Sequence, residues 1–178
     1  MQHIIPSLLF VLLLSAGFTN PDQEENFPGD YMLFKIDRSR DADMVLYDVN
    51  LDKQGKLDPS APISIYWEKI TEGGRHESIT GIQNKFGYGI RYYNISDKSA
   101  DFQIIAYKDQ TFQLRESDNN QYRVYTHSSG KEIELSSLKI HFEDDSFWFP
   151  RISKIEINGI ETDKGVYVTE TVAISTKE

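Results

Sequence analysis

The sequence predicts a mainly β fold: an antiparallel β-barrel or sandwich, with a lipocalin-like barrel favoured, and one short α-helix. Three observations carry this. From Tyr31 onward, apolar residues recur mostly at every second position, the period of a half-buried strand. Turn-rich breaks (DKQG, EGGR, SDNN, SSGK and NGIETDKG) separate these runs. The runs lie too close together for crossover helices, so neighbours should pair antiparallel. About nine or ten strands result, which suits a barrel with room for a ligand or a sandwich filled by its own side chains.

The elements follow in order. YMLFKID places Met32, Phe34 and Ile36 on one face. DMVLYDV alternates Met44 and Leu46 against Val45 and Tyr47. ISIYWEK groups Ile63, Ile65 and Trp67. FQIIAYK reads as one strand with Phe102, Ile104 and Ala106, and TFQLRES as the next with Phe112 and Leu114. QYRVYTH offers Tyr122, Val124 and Thr126; LKIHF offers Leu138, Ile140 and Phe142; KIEING offers Ile155 and Ile157. VYVTETVAI turns Val166, Val168, Val172 and Ile174 inward, with Glu170 intruding. The helix is expected in HESITGIQNKFGYG, where Ile79, Ile82 and Phe86 share a face at i, i+3 and i+7. Ser78 is placed to cap its start and Gly87 or Gly89 its end. Gly81 inside it costs ~1 kcal/mol against alanine, so the helix should be short.

At 178 residues the chain suits one domain. Residues 1–19 read as a signal peptide: the apolar run Ile4–Ala16 is too short to span a bilayer, and Ser15 and Gly17 suit a cleavage site. The leading MQH carries no Lys or Arg, so a retained N-terminal anchor is the alternative. Residues 20–30 read as a flexible tail and 31–178 as a single antiparallel β domain. The expected location is secreted or periplasmic, with no stable transmembrane segment after cleavage.

A formal charge of −9 disfavours nucleic acid and anionic headgroups as partners. The absence of cysteine removes disulfides, thiolate metal sites and cysteine nucleophiles.

The stretch YDVNLDKQGKLD, Tyr47–Asp58, tests for a calcium loop. Asp48, Asn50 and Asp52 fit positions 1, 3 and 5, but Lys53 stands where the turn glycine belongs and Pro59 where the bidentate glutamate belongs. The reading is instead a strand ending near Val49, a polar loop turning at Lys53-Gln54-Gly55, and a new strand after Pro62. His76, His127 and His141 match no zinc spacing. No metal, cofactor or catalytic residue is assigned, and whether the chain is an enzyme is left open, with a non-catalytic role favoured. EDDSFWFP, Glu143–Pro150, reads either as a sugar platform or as an acidic turn leading into core aromatics.

The richest cluster is QNKFGYGIRYYN, Gln83–Asn94, at the helix exit. Its glycines let backbone approach closely, and its tyrosines pair an apolar body with a polar tip. Arg38, Trp67, Gln83, Lys85, Tyr88 and Arg91 form the candidate ligand-binding set, with cations for an anionic group and aromatics for an apolar one.

In sequence order, RSRDADMVLYDVN, PISIYWEK, IQNKFGYGI and FWFPRISKIEING resemble a family of secreted bacterial proteins catalogued as domain of unknown function 4833, found largely in Bacteroidetes. The resemblance spans Tyr31–Val172. The family pattern has alanine where this chain has Gly87. A bacterial source implies that the sequon Asn94-Ile95-Ser96 is not glycosylated. The resemblance implies location and boundaries, not an activity. The expected function is an exported binding module for a small or lipid-like molecule in the bacterial envelope. The alternatives are an envelope structural or protein-interaction domain with a protein partner, and a glycan-acting hydrolase using Glu143, Asp144 or Asp145.

Overall fold

The structure, a computed structural model, describes residues 31–143 and 152–174. The signal-peptide and tail readings lie outside the described residues, as does Asp144–Pro150 of the acidic–aromatic stretch.

Among the described residues, eleven strands form one mixed sheet. They are β1 (Met32–Arg38), β2 (Asp41–Val49), β3 (Ile63–Lys69), β4 (Arg75–Ser78), β5 (Ile90–Ile95), β6 (Ser99–Ile104), β7 (Tyr107–Glu116), β8 (Tyr122–Ser128), β9 (Lys131–Phe142), β10 (Ile152–Glu161) and β11 (Val166–Ala173). The sheet is built around β9. One edge of β9 binds β8 through Lys131–Glu134 and then binds β1 through Ser137–Ile140. Its other edge binds β10, which carries β11. Two antiparallel wings therefore leave β9 on the same side, β8-β7-β6-β5 and β1-β2-β3-β4.

The wings curl toward each other as a half-barrel, and their inner faces meet in stacked rings. Phe34 on β1 lies 4.3 Å from Tyr47, 6.5 Å from Phe102 and 6.3 Å from Phe112, centroid to centroid. These rings, with Leu33, Ile36, Ile104, Leu114, Ile133, Leu135 and Leu138, are fully buried. The mainly β architecture with one short helix is the one that the alternating pattern indicates.

The structure changes several details. The β1–β9 pair is parallel, a departure from the antiparallel pairing expected of neighbouring strands. Short turns do force antiparallel neighbours, but β1 and β9 are not neighbours in the chain: the connection is the whole run β2–β8. FQIIAYK is not one strand. Ile105 and Ala106 form the turn of a hairpin in which Ile104 faces Tyr107. Their amides bond to Gly89 and Gly87, at 2.8 and 3.0 Å, which ties the tip to the helix exit. β9 begins seven residues before LKIHF. A register shift opposes Leu135 to Gly159 and Ser137 to Asn158, leaving Ser136 as a bulge. The inward residues change parity there, from Ile133 and Leu135 to Leu138 and Ile140.

The expected helix also starts later. Arg75–Ser78 pairs with β3 as β4, so Ser78 is not the cap. Thr80 caps α1 (Gly81–Gln83) instead: its hydroxyl accepts from the Gln83 amide at 3.2 Å, and the Gln83 side chain accepts from the Thr80 amide at 2.9 Å. Gly81 is thus the first helical residue, not an interior one. The helix widens into a π-type turn, Asn84–Tyr88, that ends at Gly89. Ile79 precedes the Thr80 cap and so lies outside the helix, which breaks the face it was expected to share with Ile82 and Phe86. Ile79 packs against the core, but Ile82 is 74% exposed and Phe86 67%.

The loop after β2 follows the polar-turn reading, with β2 ending at Val49 and β3 starting at Ile63. Its acidic oxygens serve the backbone. Asp52 accepts from the amides of Gln54 and Lys56 at 2.8 and 2.9 Å, and Asp58 accepts from the amide and hydroxyl of Ser60. Gly55 supplies the left-handed turn at φ +78°.

Candidate functional site

Four of the six sequence-proposed residues converge at the helix exit. Trp67, at the end of β3, is 4% exposed. The Arg38 guanidinium lies 4.6 Å from the Trp67 ring centroid and the Lys69 ammonium 5.0 Å, while Tyr88 meets the ring edge-on at 5.4 Å. The indole N–H donates to the Gln83 side chain at 3.2 Å. Arg38 also pairs with Asp41, and Lys69 with Asp43 at 3.0 Å. The Lys69 hydrogen bond holds the Asp43 carboxyl below its usual value. Tyr47 donates to the Tyr88 carbonyl at 2.7 Å, anchoring the turn to the core.

The Trp67 ring and N–H are therefore engaged within the chain. This cluster clamps the helix exit onto β1, β2 and β3. Lys85 and Arg91 do not join it. Lys85 is exposed with its ammonium 5.2 Å from the Phe86 ring, and Arg91 is exposed on β5 opposite Gln103. The apolar space beneath Tyr88, lined by residues including Ile36, Ile104, Tyr107, Leu138 and Ile155, amounts to about 20 Å³.

A larger concavity lies elsewhere. On the face of β7, β8 and β9 opposite the buried rings is a basin of about 580 Å³. A second hollow of about 430 Å³ shares Tyr125 and Glu132 with it. Strand alternation builds both. Phe112, Leu114 and Val124 point to the core, so Gln113, Arg115, Arg123 and Tyr125 point the other way. Tyr125 is buried beneath the Arg115 guanidinium, whose carbon lies 3.7 Å from the ring centroid. Arg115 grips Glu132 with two bonds, at 3.0 and 2.8 Å, and Thr162 donates to the same carboxylate at 3.2 Å. Arg123 faces Glu134 at 3.4 Å and also binds Gln121. The Arg115 hydrogen bond, then its charge, hold the Glu132 carboxyl below the usual range against burial. The basin is thus a polar surface whose guanidinium donors and carboxylate acceptors are paired with one another, with a wall from Ser117 and Asn119.

Sequence reading missed this basin. Its signal is long polar side chains at alternate positions of three successive strands, as in FQLRES, QYRVYTH and KEIEL. Without the register, which places Gln113 against Tyr125 and Tyr125 against Glu134, nothing in the sequence brings them together.

The described residues therefore define a curled β module with stacked, buried rings between its wings and a polar basin on its exterior. The chain belongs to the family described as a domain of unknown function, DUF4833, whose model matches residues 34–171. No curated protein and no solved structure matches the chain.

Proposed function

We propose that the chain is an exported binding module of the bacterial envelope that takes a small, hydroxyl-rich polar ligand in the β7–β9 basin. The observation that carries this reading is the basin itself. Its volume of about 580 Å³ falls in the size range of small-molecule sites, and its donors and acceptors are fixed before any ligand arrives. Paired guanidinium and carboxylate groups suit vicinal hydroxyls, which donate and accept at once. The expectation of a lipid-like ligand needs an apolar cavity. The space between the wings holds stacked rings, and the apolar space beneath Tyr88 is smaller than one lipid chain, so the reading moves to the exterior. Export rests on the apolar run Ile4–Ala16 and its short polar leader.

Ligand-observed saturation-transfer NMR tests the reading, using the chain from residue 20 and sugars released from bacterial envelopes. Transfer to sugar protons that Arg123→Ala and Glu134→Gln abolish, without a loss of fold, is the supporting result. Equal transfer in the wild type and both variants, or none at all, sinks the reading.

A second reading, a protein-interaction domain, is favoured by one observation. Ile82 on α1 and Phe86 in the turn that follows both stand exposed, Phe86 against the Lys85 ammonium. Phe86→Ser should leave thermal stability unchanged and abolish capture of an envelope protein by the chain. The hydrolase alternative depends on carboxylates that include Asp144 and Asp145, outside the described residues.

A further inference from the structure

The curled sheet ends in three edges among the described residues, and they are not alike. Edges invite pairing with another chain unless they are short, charged or bulged. The β4 edge has four residues, Arg75-His76-Glu77-Ser78, three of them charged or titratable. The β5 edge carries Arg91 and a register break between Tyr92 and Asn94. The β11 edge has neither safeguard. Its eight residues pair with β10 in unbroken register from Val166 to Ala173, with no Lys, Arg or Pro. Valine and threonine, strong strand formers, make up most of it. Its one charge, Glu170, is already neutralised by Lys131 at 2.5 Å and bonded by Ser129 at 3.0 Å.

We propose that β11 is a self-association edge, pairing antiparallel with β11 of a second copy about a two-fold axis at Thr169. The strand is complementary to itself in that register. Side chains on one face of the first strand must meet the same face of its mate, so the axis passes at a residue and not midway between two. Glu170 on the axis would oppose two carboxylates. Thr169 on the axis sets threonine against threonine, Val166 against Val172, and Glu170 against Val168, so no like charges meet. A Thr171 axis would use less of the strand. One strand pair buries less than the ~1,200–2,000 Å² of a stable interface, so the dimer should be concentration-dependent.

Sedimentation velocity of the chain from residue 20, over a wide concentration range, tests this. The expected result is a monomer–dimer equilibrium that Thr169→Lys shifts at least tenfold toward monomer, with circular dichroism unchanged. Mixing Thr169→Lys with Thr169→Glu chains should restore the dimer, because opposite charges then face each other on the axis. A monomer at every concentration overturns the proposal. So does a dimer insensitive to Thr169→Lys. If Thr169→Lys disturbs the fold, Thr169→Glu decides alone: a folded Thr169→Glu chain that dimerises like the wild type counts against the proposal.

Discussion

Gly159 and Gly89 are glycines for steric reasons. A Cβ on Gly159 would lie 2.0 Å from the Glu134 carbonyl oxygen, and one on Gly89 would lie 2.0 Å from that of Asn84. Gly87, two residues earlier, has nothing within 4 Å of that position. Gly159→Ala should therefore cost about 3 kcal/mol and Gly87→Ala well under 1 kcal/mol, read as shifts in urea midpoint. Equal effects would mean that the β9–β10 bulge relaxes freely. The same scale governs Tyr47. Removing its hydroxyl leaves the Tyr88 carbonyl without that donor, so Tyr47→Phe should cost about 2 kcal/mol in the same assay. The sequence marked Tyr88 as a site residue because a tyrosine between glycines suits a ligand as well as it suits a clamp. Only the contacts made by its ring and carbonyl separate the two roles.

Among the elements, β9 decides the topology, and part of that was legible. LKIHF reads as a strand with an even inward face, whereas KEIEL reads with an odd one. The two phases meet at Ser136-Ser137, where the bulge lies and where β9 changes partner from β8 to β1. Starting the strand at LKIHF left KEIEL unassigned and hid the longer strand. The helix was legible in existence but not in facing, because it starts after the Thr80 cap and leaves Ile79 outside the face counted from it, and because the turn Asn84–Tyr88 is wider than an α-turn. Its capping box makes a local claim. Thr80→Ala should cost about 1 kcal/mol, with faster hydrogen exchange at the Gln83 and Asn84 amides and little change in the β strands. The Arg115–Glu132 pair joins β7 to β9 and gives a pH dependence. Its folded carboxyl titrates below the ordinary value of about 4.3, so its stabilisation is complete above that value and is lost as pH falls through the folded one. Glu132→Gln should flatten the acid limb of the stability curve. An unchanged limb would assign acid sensitivity to other carboxylates, such as Glu170 or Asp43.

Across the whole molecule, the alternation that announced a β fold also announced its core, since Phe34, Trp67, Phe102, Phe112, Leu114 and Val124 are all buried. It could not show that two wings would meet in stacked rings, because that depends on β1 joining β9 across the full length of the chain. No helix among the described residues is long and apolar enough to cross a membrane. The tyrosines set an alkaline boundary. Burial pushes the Tyr92 hydroxyl up to about 12 and the Tyr47 hydroxyl well above its ordinary range. Each is stabilising in its neutral form below the unfolded value of about 10, and that stabilisation drains away as pH rises toward the folded value. Cooperative unfolding should therefore set in between about pH 10 and 12, followed by tyrosinate absorbance, and Tyr92→Phe should move the onset upward.

The central claim is that recognition happens on the exterior basin and not between the wings. Native mass spectrometry of the chain from residue 20, recovered from an exporting host and then exposed to envelope sugars, tests it most directly. The expected spectrum shows a small polar adduct on the wild type that disappears in Arg123→Ala. A co-purified lipid adduct, undisturbed by Arg123→Ala and lost in Phe34→Trp, would place the ligand between the wings and contradict the account.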